Sequence, residues 1–285
     1  MTYSGRMTMV RPSGSAPDRK AFLDTTVPCE RLLSSQTTRA HVNKRLRSFA
    51  RRTTCRFVQL EFLIGPYTHL VRLQAKIEQG ATDAELLLVI DKYQNLPAFY
   101  WQRRMASIWL RAFARYCERS GPMPGSFRAF IRAFVLRAWR EAFAGIDEVV
   151  DATMCLGDVA EPTCDERTHT IDVAVSRRDL NLRAGDLAAF IRARRTEFAR
   201  IADTLDASPP AKRDRETNRR VCAIRKVLSG HGSITGGDIR SVGDALIAVE
   251  CPADHVLLTS NIRHFHPITA AIGKVCEKLP DLSRQ

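Results

Sequence analysis

Short apolar runs near the N-terminus predict alternating strands and helices. The run AFL (21–23) ends at Asp24 and predicts a strand, and the basic stretch 38–53 predicts a helix. The segment CRFVQLEFLIG (55–65) is rich in β-forming residues and predicts a strand that passes into a helix near Leu60. The chain therefore opens with the pattern of an α/β fold.

The C-terminal part contains a second pattern of this kind. The run ALIAV (245–249) is apolar on every side, which predicts a buried helix that starts at Asp244. The run VLLT (256–259) is short and ends in a polar cluster, which predicts an interior strand of a parallel sheet. Asn261 lies just past that strand. Because ligands of open α/β sheets collect outside the carboxyl ends of the strands, Asp244 and Asn261 are candidates for a shared site.

Helical periodicity dominates the segment between these two parts, 70–224, which includes one continuous helix predicted over 184–207. Residues 1–20 are rich in Ser, Gly, Pro and Arg and predict a disordered tail. The predicted fold class is α/β: a parallel sheet flanked by helices, built from residues 21–69 and 225–285, with a mainly α-helical insertion between them.

Composition narrows the class of protein. The chain has 285 residues, of which 45% are hydrophobic, and its formal net charge of +13 favours anionic partners such as nucleic acid. The eight cysteines form no CxxC pair, which favours a reducing compartment. No apolar run approaches the roughly 20 residues of a membrane span, and the start of the chain lacks the apolar stretch of a signal peptide. We therefore expect a cytoplasmic protein without a membrane partner.

The charge is distributed unevenly along the chain. Residues 1–69 carry 12 basic and 4 acidic side chains, and residues 99–140 carry nine Arg and one Glu, so each segment has a net charge of +8. Residues 141–186 carry four Arg and eleven acids, a net charge of −7. Because phosphate contacts depend on dense positive charge, we expect the first two segments to attract nucleic acid and the third to repel it.

Four local patterns together resemble the motifs of the PIN (PilT N-terminus) nuclease family. FLDTTVPCERL (22–32) resembles the first motif, a hydrophobic strand that ends in Asp before Thr and a helix. VQLEFLIG (58–65) resembles the second, in which a Glu opens a helix and a Gly follows. SVGDALIAVECPADHVLLTSNIRHF (241–265) resembles the third and fourth, an Asp before a helix and then a strand that ends in Thr and an Asp or Asn. The resemblance covers less than half of the chain and implies a PIN-like parallel sheet.

The resemblance also implies that Asp24, Glu61, Asp244 and Asn261 surround a catalytic Mg²⁺ (or Mn²⁺) ion. Three carboxylates from separate elements at one sheet edge repel one another unless a divalent cation lies among them. Mg²⁺ takes oxygen ligands and keeps several waters, and a bound ion can activate water for attack on a phosphodiester. The implied activity is that of a toxin-like, metal-dependent endoribonuclease, with 5′-phosphate and 3′-hydroxyl product ends.

Two departures from the family pattern keep other functions open. Asn261 stands where family members commonly offer a fourth acid, and His264 stands where another acid often lies. We expect His264 and His266 to flank the site without binding metal. The compact toxins also have no counterpart of the insertion over 70–224. The alternatives are a catalytically inactive PIN-like module that binds RNA or a protein, and an unrelated helical nucleic-acid-binding protein whose motif matches arise by chance.

RNA is the expected partner of a PIN-like nuclease, and RNA or a protein is the expected partner of the inactive module. The sequence leaves open whether an antitoxin or another protein also binds, and whether the chain forms a homodimer.

Overall fold

The computed structural model describes residues 18–97, 101–119, 126–152, 163–164, 171–172, 184–207, 214–230 and 235–279. These residues form an α/β fold with a five-stranded, all-parallel sheet flanked by helices, which confirms the predicted fold class. Of the predicted disordered tail, residues 1–17 lie outside the described residues, and Lys20 already belongs to the first strand.

The main sheet is built from short strands at both ends and in the middle of the chain. In chain order the strands are β1 (Lys20–Leu23), β2 (Arg51–Cys55), β3 (Glu148–Val150), β4 (Thr163–Cys164), β5 (Ile171–Asp172), β6 (His255–Thr259) and β7 (Val275–Lys278). β4 and β5 form a separate antiparallel pair, and the other five strands form the main sheet.

Helices connect and cover these strands. They are α1 (Thr26–Leu33), α2 (Gln36–Arg47), α3 (Arg56–Phe62), α4 (Thr68–Glu78), α5 (Asp83–Gln94), α6 (Trp101–Arg119), α7 (Phe127–Phe143), α8 (Ala184–Ala193), α9 (Arg195–Asp206), α10 (Arg215–Ser229), α11 (Gly236–Glu250) and α12 (Ile262–Ala271). A π-helical turn, Leu63–Tyr67, links α3 to α4 and is kinked at Gly65. None of the helices in the described ranges combines the length and the apolar character needed to cross a membrane.

The strand order places a topological switch point between β1 and β6. Across the sheet the order is β3-β2-β1-β6-β7, so the chain extends the sheet from β1 toward β2 and β3 on one side, and β6 and β7 extend it on the other. β1 and β6 pair in parallel, with Ala21 opposite Val256 and Leu23 opposite Leu258. The two apolar runs predicted as strands, from opposite ends of the chain, are therefore neighbours in one parallel sheet.

Burial explains the apolar character of the two central strands. Ala21, Phe22 and Leu23 of β1 are buried, as are Leu257 and Leu258 of β6. Because helices cover both faces of a parallel sheet, a central strand has no solvent-exposed face and its sequence is a continuous apolar run.

The helical segment between the two halves shares their hydrophobic core. β3 comes from this segment and pairs with β2, so it extends the main sheet. Trp109 of α6 and Ile131 of α7 are buried in the same apolar cluster as Phe22 and Leu257 of the sheet. The predicted insertion, 70–224, is therefore built into the core of the fold in its described parts.

The second strand lies earlier than the sequence pattern predicted. The prediction placed a strand within 55–65, but β2 ends at Cys55 and α3 begins at Arg56. Thr53 and Thr54 supply its buried, β-branched positions, and the basic residues before them were assigned to the preceding helix. α3 is apolar on most sides because it is buried in the core. Its run of apolar residues therefore cannot be distinguished from that of a buried strand by periodicity.

Two predicted helices have different limits in the structure. α2 ends at Arg47 rather than at residue 53, because the following residues turn into β2. The single helix predicted over 184–207 is two helices, α8 and α9. They break at Arg194, whose backbone (φ −101°, ψ 30°) departs from helical geometry.

α11 begins at Gly236, and the prediction that it starts at Asp244 is wrong. Thr235 and Asp238 form a capping box, in which each side chain accepts a hydrogen bond from the other residue's backbone N–H. The carboxylate of Asp238 therefore caps the N-terminus of α11. Asp244 lies in the interior of α11, so the positive end of the helix dipole does not account for an acid at this position.

Candidate functional site

Asp24 lies directly after β1, at the switch point, and two threonines hold its carboxylate. The residue is 2% exposed. Its Oδ1 accepts hydrogen bonds from Thr26 N at 3.1 Å and Thr26 Oγ1 at 2.6 Å, and its Oδ2 accepts one from Thr259 Oγ1 at 2.8 Å. Because Thr259 ends β6, this contact ties together the carboxyl ends of the two central strands. Each carboxylate oxygen has two acceptor positions, so Oδ2 keeps one for a further partner.

Asn261 lies at the end of the neighbouring strand. Its backbone N–H donates to Thr259 Oγ1 at 2.8 Å, and the backbone N–H of Ser260 donates to Thr26 Oγ1 at 2.7 Å. Asn261 precedes α12 at the N-cap position, but its side chain makes no capping hydrogen bond. Capping, the ordinary role of Asn before a helix, therefore does not explain this residue.

Glu61 reaches the same region from α3. Its Oε2 accepts a hydrogen bond from the hydroxyl of Thr25, the residue after Asp24. Its Oε1 faces Gly243 of α11 so closely that a Cβ atom on residue 243 would lie 2.8 Å from it. α3 and α11 can therefore approach each other in this way only because residue 243 has no side chain.

Asp244 follows Gly243 in α11 and is paired with a buried arginine of α10. Arg220 is 2% exposed. Its Nη2 lies 2.5 Å from Asp244 Oδ2 and 3.3 Å from Glu216 Oε1, and its Nε donates to the backbone oxygen of Ser241 at 3.2 Å. Asp244 thus already has a cationic partner supplied by the chain.

Burial raises the pKa values of the three predicted carboxylic acids, and repulsion from neighbouring carboxylates adds to the increase. Burial raises the pKa of Asp24 to about 7, and the charge of Asp244 adds to this effect against the hydrogen bonds of the neighbouring threonines. Burial raises the pKa of Glu61 to about 8, with further increases from Asp244 and Asp24. Burial also raises the pKa of Asp244, although the charge of Arg220 opposes this increase. Because the three carboxylates repel one another, an added cation would stabilise their charged forms.

The structure thus places the four predicted site residues at one edge of the sheet, but the three acids are not tightly clustered. Asp24 and Asn261 are linked through Thr259, and Asp24, Glu61 and Asp244 affect one another's pKa. These three acids do not offer one oxygen each within 4.8 Å of the others. An ion shared by all three would therefore contact some of them through water. Mg²⁺ commonly keeps several waters, so the all-oxygen donor set fits this ion.

A closer group of ligand-type side chains shares Asp244. In the described part of the chain, Glu216, Asp244 and His264 are the three such residues whose ligand atoms all lie within 4.8 Å of one another. His264 Nδ1 is 3.7 Å from Glu216 Oε2 and 3.9 Å from Asp244 Oδ2. The same nitrogen is buried and has no hydrogen-bond partner.

The sequence analysis missed Arg220 and Glu216, although α10 carries a signal for the first. Arg220 precedes the buried Ile224 and Val227 at helical spacing, so it lies on the buried face of α10. A buried arginine requires an acidic partner, but the sequence does not say which acid meets it.

The chain matches no protein-family model, no curated protein and no solved structure. The resemblance to PIN nucleases is carried by the sequence motifs alone.

Proposed function

We propose that the protein is a divalent-cation-dependent endoribonuclease of PIN type, with an active site formed by Asp24, Glu61, Asp244 and Asn261. The proposed cofactor is Mg²⁺ or Mn²⁺, and the proposed substrate is RNA, as in the toxin ribonucleases that the motifs resemble.

The position of Asp24 and Asn261 beside the switch point between β1 and β6 carries this proposal. In open parallel sheets, ligands bind in the crevice outside the carboxyl ends of the strands at such a point. Glu61 and Asp244 reach the same edge from α3 and α11, which meet at Gly243. Carboxylic acids with strongly raised pKa values in one crevice are typical of functional sites, since repulsion of this kind does not favour folding.

In the proposed site these residues would hold a cation and a phosphodiester. When bound, the cation lowers the pKa of an attacking water and neutralises negative charge on the phosphate. Thr26 and Thr259 fix the carboxylate of Asp24, and Thr25 fixes that of Glu61, so both acids are oriented before a ligand arrives. The amide of Asn261 can offer its oxygen to the cation or its N–H groups to a phosphate oxygen.

Positive charge near this core supports a polyanionic substrate. α2, which lies between β1 and β2, has a basic last turn of Lys44, Arg45 and Arg47. α7, which packs against α1, carries Arg128, Arg132, Arg137 and Arg140 on its exposed positions. RNA affinity should therefore fall steeply as salt concentration rises, since each neutralised phosphate releases counterions.

Cleavage of RNA by the full chain tests the proposal. We expect cleavage of mixed RNAs with Mg²⁺ or Mn²⁺, no cleavage with EDTA, and products that carry a 5′-phosphate. Asp24→Asn should abolish cleavage, because it removes a charged ligand with almost no change in volume. Asp91→Asn on the exposed face of α5 is the matched control and should leave cleavage unchanged. Equal cleavage by the parent and Asp24→Asn would refute the assignment.

The ion pair between Arg220 and Asp244 favours a second candidate function, an inactive PIN-like module that binds RNA or a protein partner. In that role the guanidinium group takes the place of a cation at Asp244. The crevice would then recognise its partner without hydrolysing it. RNA binding that EDTA does not change, together with no cleavage under either cation, would select this function.

We propose the cytoplasm as the compartment, because Cys55, Cys222, Cys251 and Cys276 are free thiols, as expected in a reducing environment.

The basic surface would also suit an acidic protein partner such as an antitoxin. Light scattering would show whether the chain forms a homodimer.

A further inference from the structure

We propose that Glu216, Asp244 and His264 form a second cation site that prefers a first-row transition ion such as Mn²⁺ to Mg²⁺. The PIN-like motifs do not assign this site, and the sequence predicted that His264 flanks the metal without binding it. The inference extends the proposed function because Asp244 belongs to both sites. It is nevertheless tested by metal binding alone, so its failure can be distinguished from a failure of RNA cleavage.

The three side chains surround a space of the size that one ion fills. The separations of His264 Nδ1 from Glu216 Oε2 and Asp244 Oδ2, 3.7 and 3.9 Å, are too long for hydrogen bonds. Two ligands that each lie about 2.1 Å from one ion are about 3–4 Å apart. A buried nitrogen without a partner costs stability, and an ion at this point would satisfy it while neutralising two carboxylates.

The ligands lie on three helices that pack against one another. Glu216 lies in the first turn of α10, Asp244 in the interior of α11 and His264 in the first turn of α12. α10 packs against α11, and α11 packs against α12. A site on packed helices holds its geometry more closely than one on loops, so the observed separations describe a preorganised site.

The other ring nitrogen of His264 faces a carboxylate, as is common for histidine ligands. Its Nε2 lies 3.6 Å from Asp214 Oδ2, and Asp214 Oδ1 accepts a hydrogen bond from Thr217 N at 2.7 Å. Metal-bound histidines usually donate their second ring N–H to such a group, which fixes the ring and raises the basicity of the ligating nitrogen. A proton on Nε2 would leave the lone pair of Nδ1 available to an ion between Glu216 and Asp244.

The donor set favours a transition ion. Mg²⁺ prefers oxygen ligands in a near-ideal octahedron, whereas an imidazole nitrogen suits first-row transition ions, and carboxylates suit Mn²⁺. The side chain of Glu216 is 58% exposed, so the ion can enter from solvent and keep positions for water or a phosphate oxygen.

The local charge can support a divalent ion even beside an arginine. Arg220 Nη2 contacts Glu216 Oε1 and Asp244 Oδ2, so it holds two of the ligands in place, while Glu216 Oε2 faces His264. Arg263 also lies near Asp214. Against these two cations stand the carboxylates of Asp214, Glu216 and Asp244, and Asp24 and Glu61 add negative charge once they ionise.

Pulsed electron paramagnetic resonance of Mn²⁺ bound to the full chain tests this site. We expect the parent to show nitrogen modulation from a coordinated imidazole, and His264→Ala to lose it. His266→Ala is the matched control, because His266 is exposed on the same helix, and it should keep the signal. Asp214→Asn, which preserves the helix cap, should weaken Mn²⁺ binding at this site by about 10–100-fold.

No nitrogen modulation in the parent, or full modulation in His264→Ala, would overturn the proposal. If His264→Ala does not fold, His264→Gln keeps a polar side chain of similar volume and gives the same test. Glu61→Gln separates the two sites, because it lies outside the second one and should leave the nitrogen signal intact. Nitrogen modulation without any RNA cleavage would support this site and count against the nuclease.

Discussion

Arg220 and Asp244 form an ion pair beside the proposed site, with Nη2 of the buried arginine 2.5 Å from Oδ2 of the acid. The pair joins the interiors of α10 and α11. It gives Asp244 a direct ion-pair partner, whereas Glu61 accepts a hydrogen bond from a hydroxyl and is repelled by two other acids more strongly than Arg220 attracts it. Equivalent neutralisations of these two acids should therefore have opposite effects on folding.

Without divalent cations, we expect Glu61→Gln to stabilise the protein and Asp244→Asn to destabilise it. The first substitution removes repulsion from Asp24 and Asp244. The second removes the negative charge that pairs with the buried guanidinium group of Arg220, which lowers the free energy of unfolding by about 1–3 kcal/mol. Urea unfolding of both variants in EDTA measures the free energies of unfolding, and the reverse order of stability would contradict this interpretation of the ion pair.

Arg220→Gln should raise the affinity for divalent cations and lower stability in their absence. The substitution removes the positive charge that competes with a cation at Asp244. It also removes the charge that neutralises the carboxylates of Glu216 and Asp244 when no cation is bound. Arg220→Lys keeps the charge and is the control. Calorimetric titration with Mn²⁺ should show tighter binding to the Gln variant than to the Lys variant. Weaker binding to the Gln variant would mean that Arg220 acts mainly by positioning the ligands.

Gly243→Ala should destabilise the protein by about 1–3 kcal/mol, because overpacking a tight contact forces the backbone or the side chains to shift. The added Cβ would lie 2.8 Å from Glu61 Oε1 and 2.8 Å from a ring carbon of Phe57. Gly237→Ala in the same helix is the control, since its nearest neighbour would be Thr235 Oγ1 at an ordinary 3.5 Å. Thermal unfolding compares the two variants, and equal melting temperatures would show that the contact at residue 243 is not tight.

Stabilisation by divalent cations should increase with pH. The folded-state pKa values of Asp24 and Glu61, about 7 and about 8, lie above the value of about 4 expected in the unfolded chain. Without a cation, the stability that these protonated acids contribute is present at low pH and is lost as the pH rises through 7 and 8. A cation replaces the protons, so the increase in melting temperature caused by excess Mg²⁺ should be larger near pH 8.5 than near pH 5.5. Equal increases at both pH values would contradict the raised pKa values.

The sequence predicted the two central strands and the polar residues that follow them, because both signals are local. Each strand is a buried apolar run, and in a parallel sheet such a run must end at the edge where Asp24 and Asn261 lie. The predicted parallel sheet, built from both ends of the chain, brings β1 and β6 side by side in the structure.

Other features could not be predicted because they depend on tertiary contacts. β3 and β7 lie at the edges of the sheet, are short and contain polar residues, so no apolar run marks them. Arg220 and Glu216 approach Asp244 only because α10 packs against α11. The local sequence of α10 does not indicate which residues of α11 and α12 they will meet. The interior position of Asp244 was obscured because a capping box upstream extends α11 beyond its apolar part.

The most direct test of the central claim is the anomalous scattering from a crystal of the full chain soaked in Mn²⁺. The claim is that acids at the switch point between β1 and β6 hold a divalent cation. We predict an anomalous peak in contact with Asp24, directly or through one water and separate from any peak at His264, and we predict that this peak disappears in Asp24→Asn crystals soaked in the same way. A crystal saturated with Mn²⁺ that shows no peak at Asp24, with Arg220 still bound to Asp244, would contradict the claim.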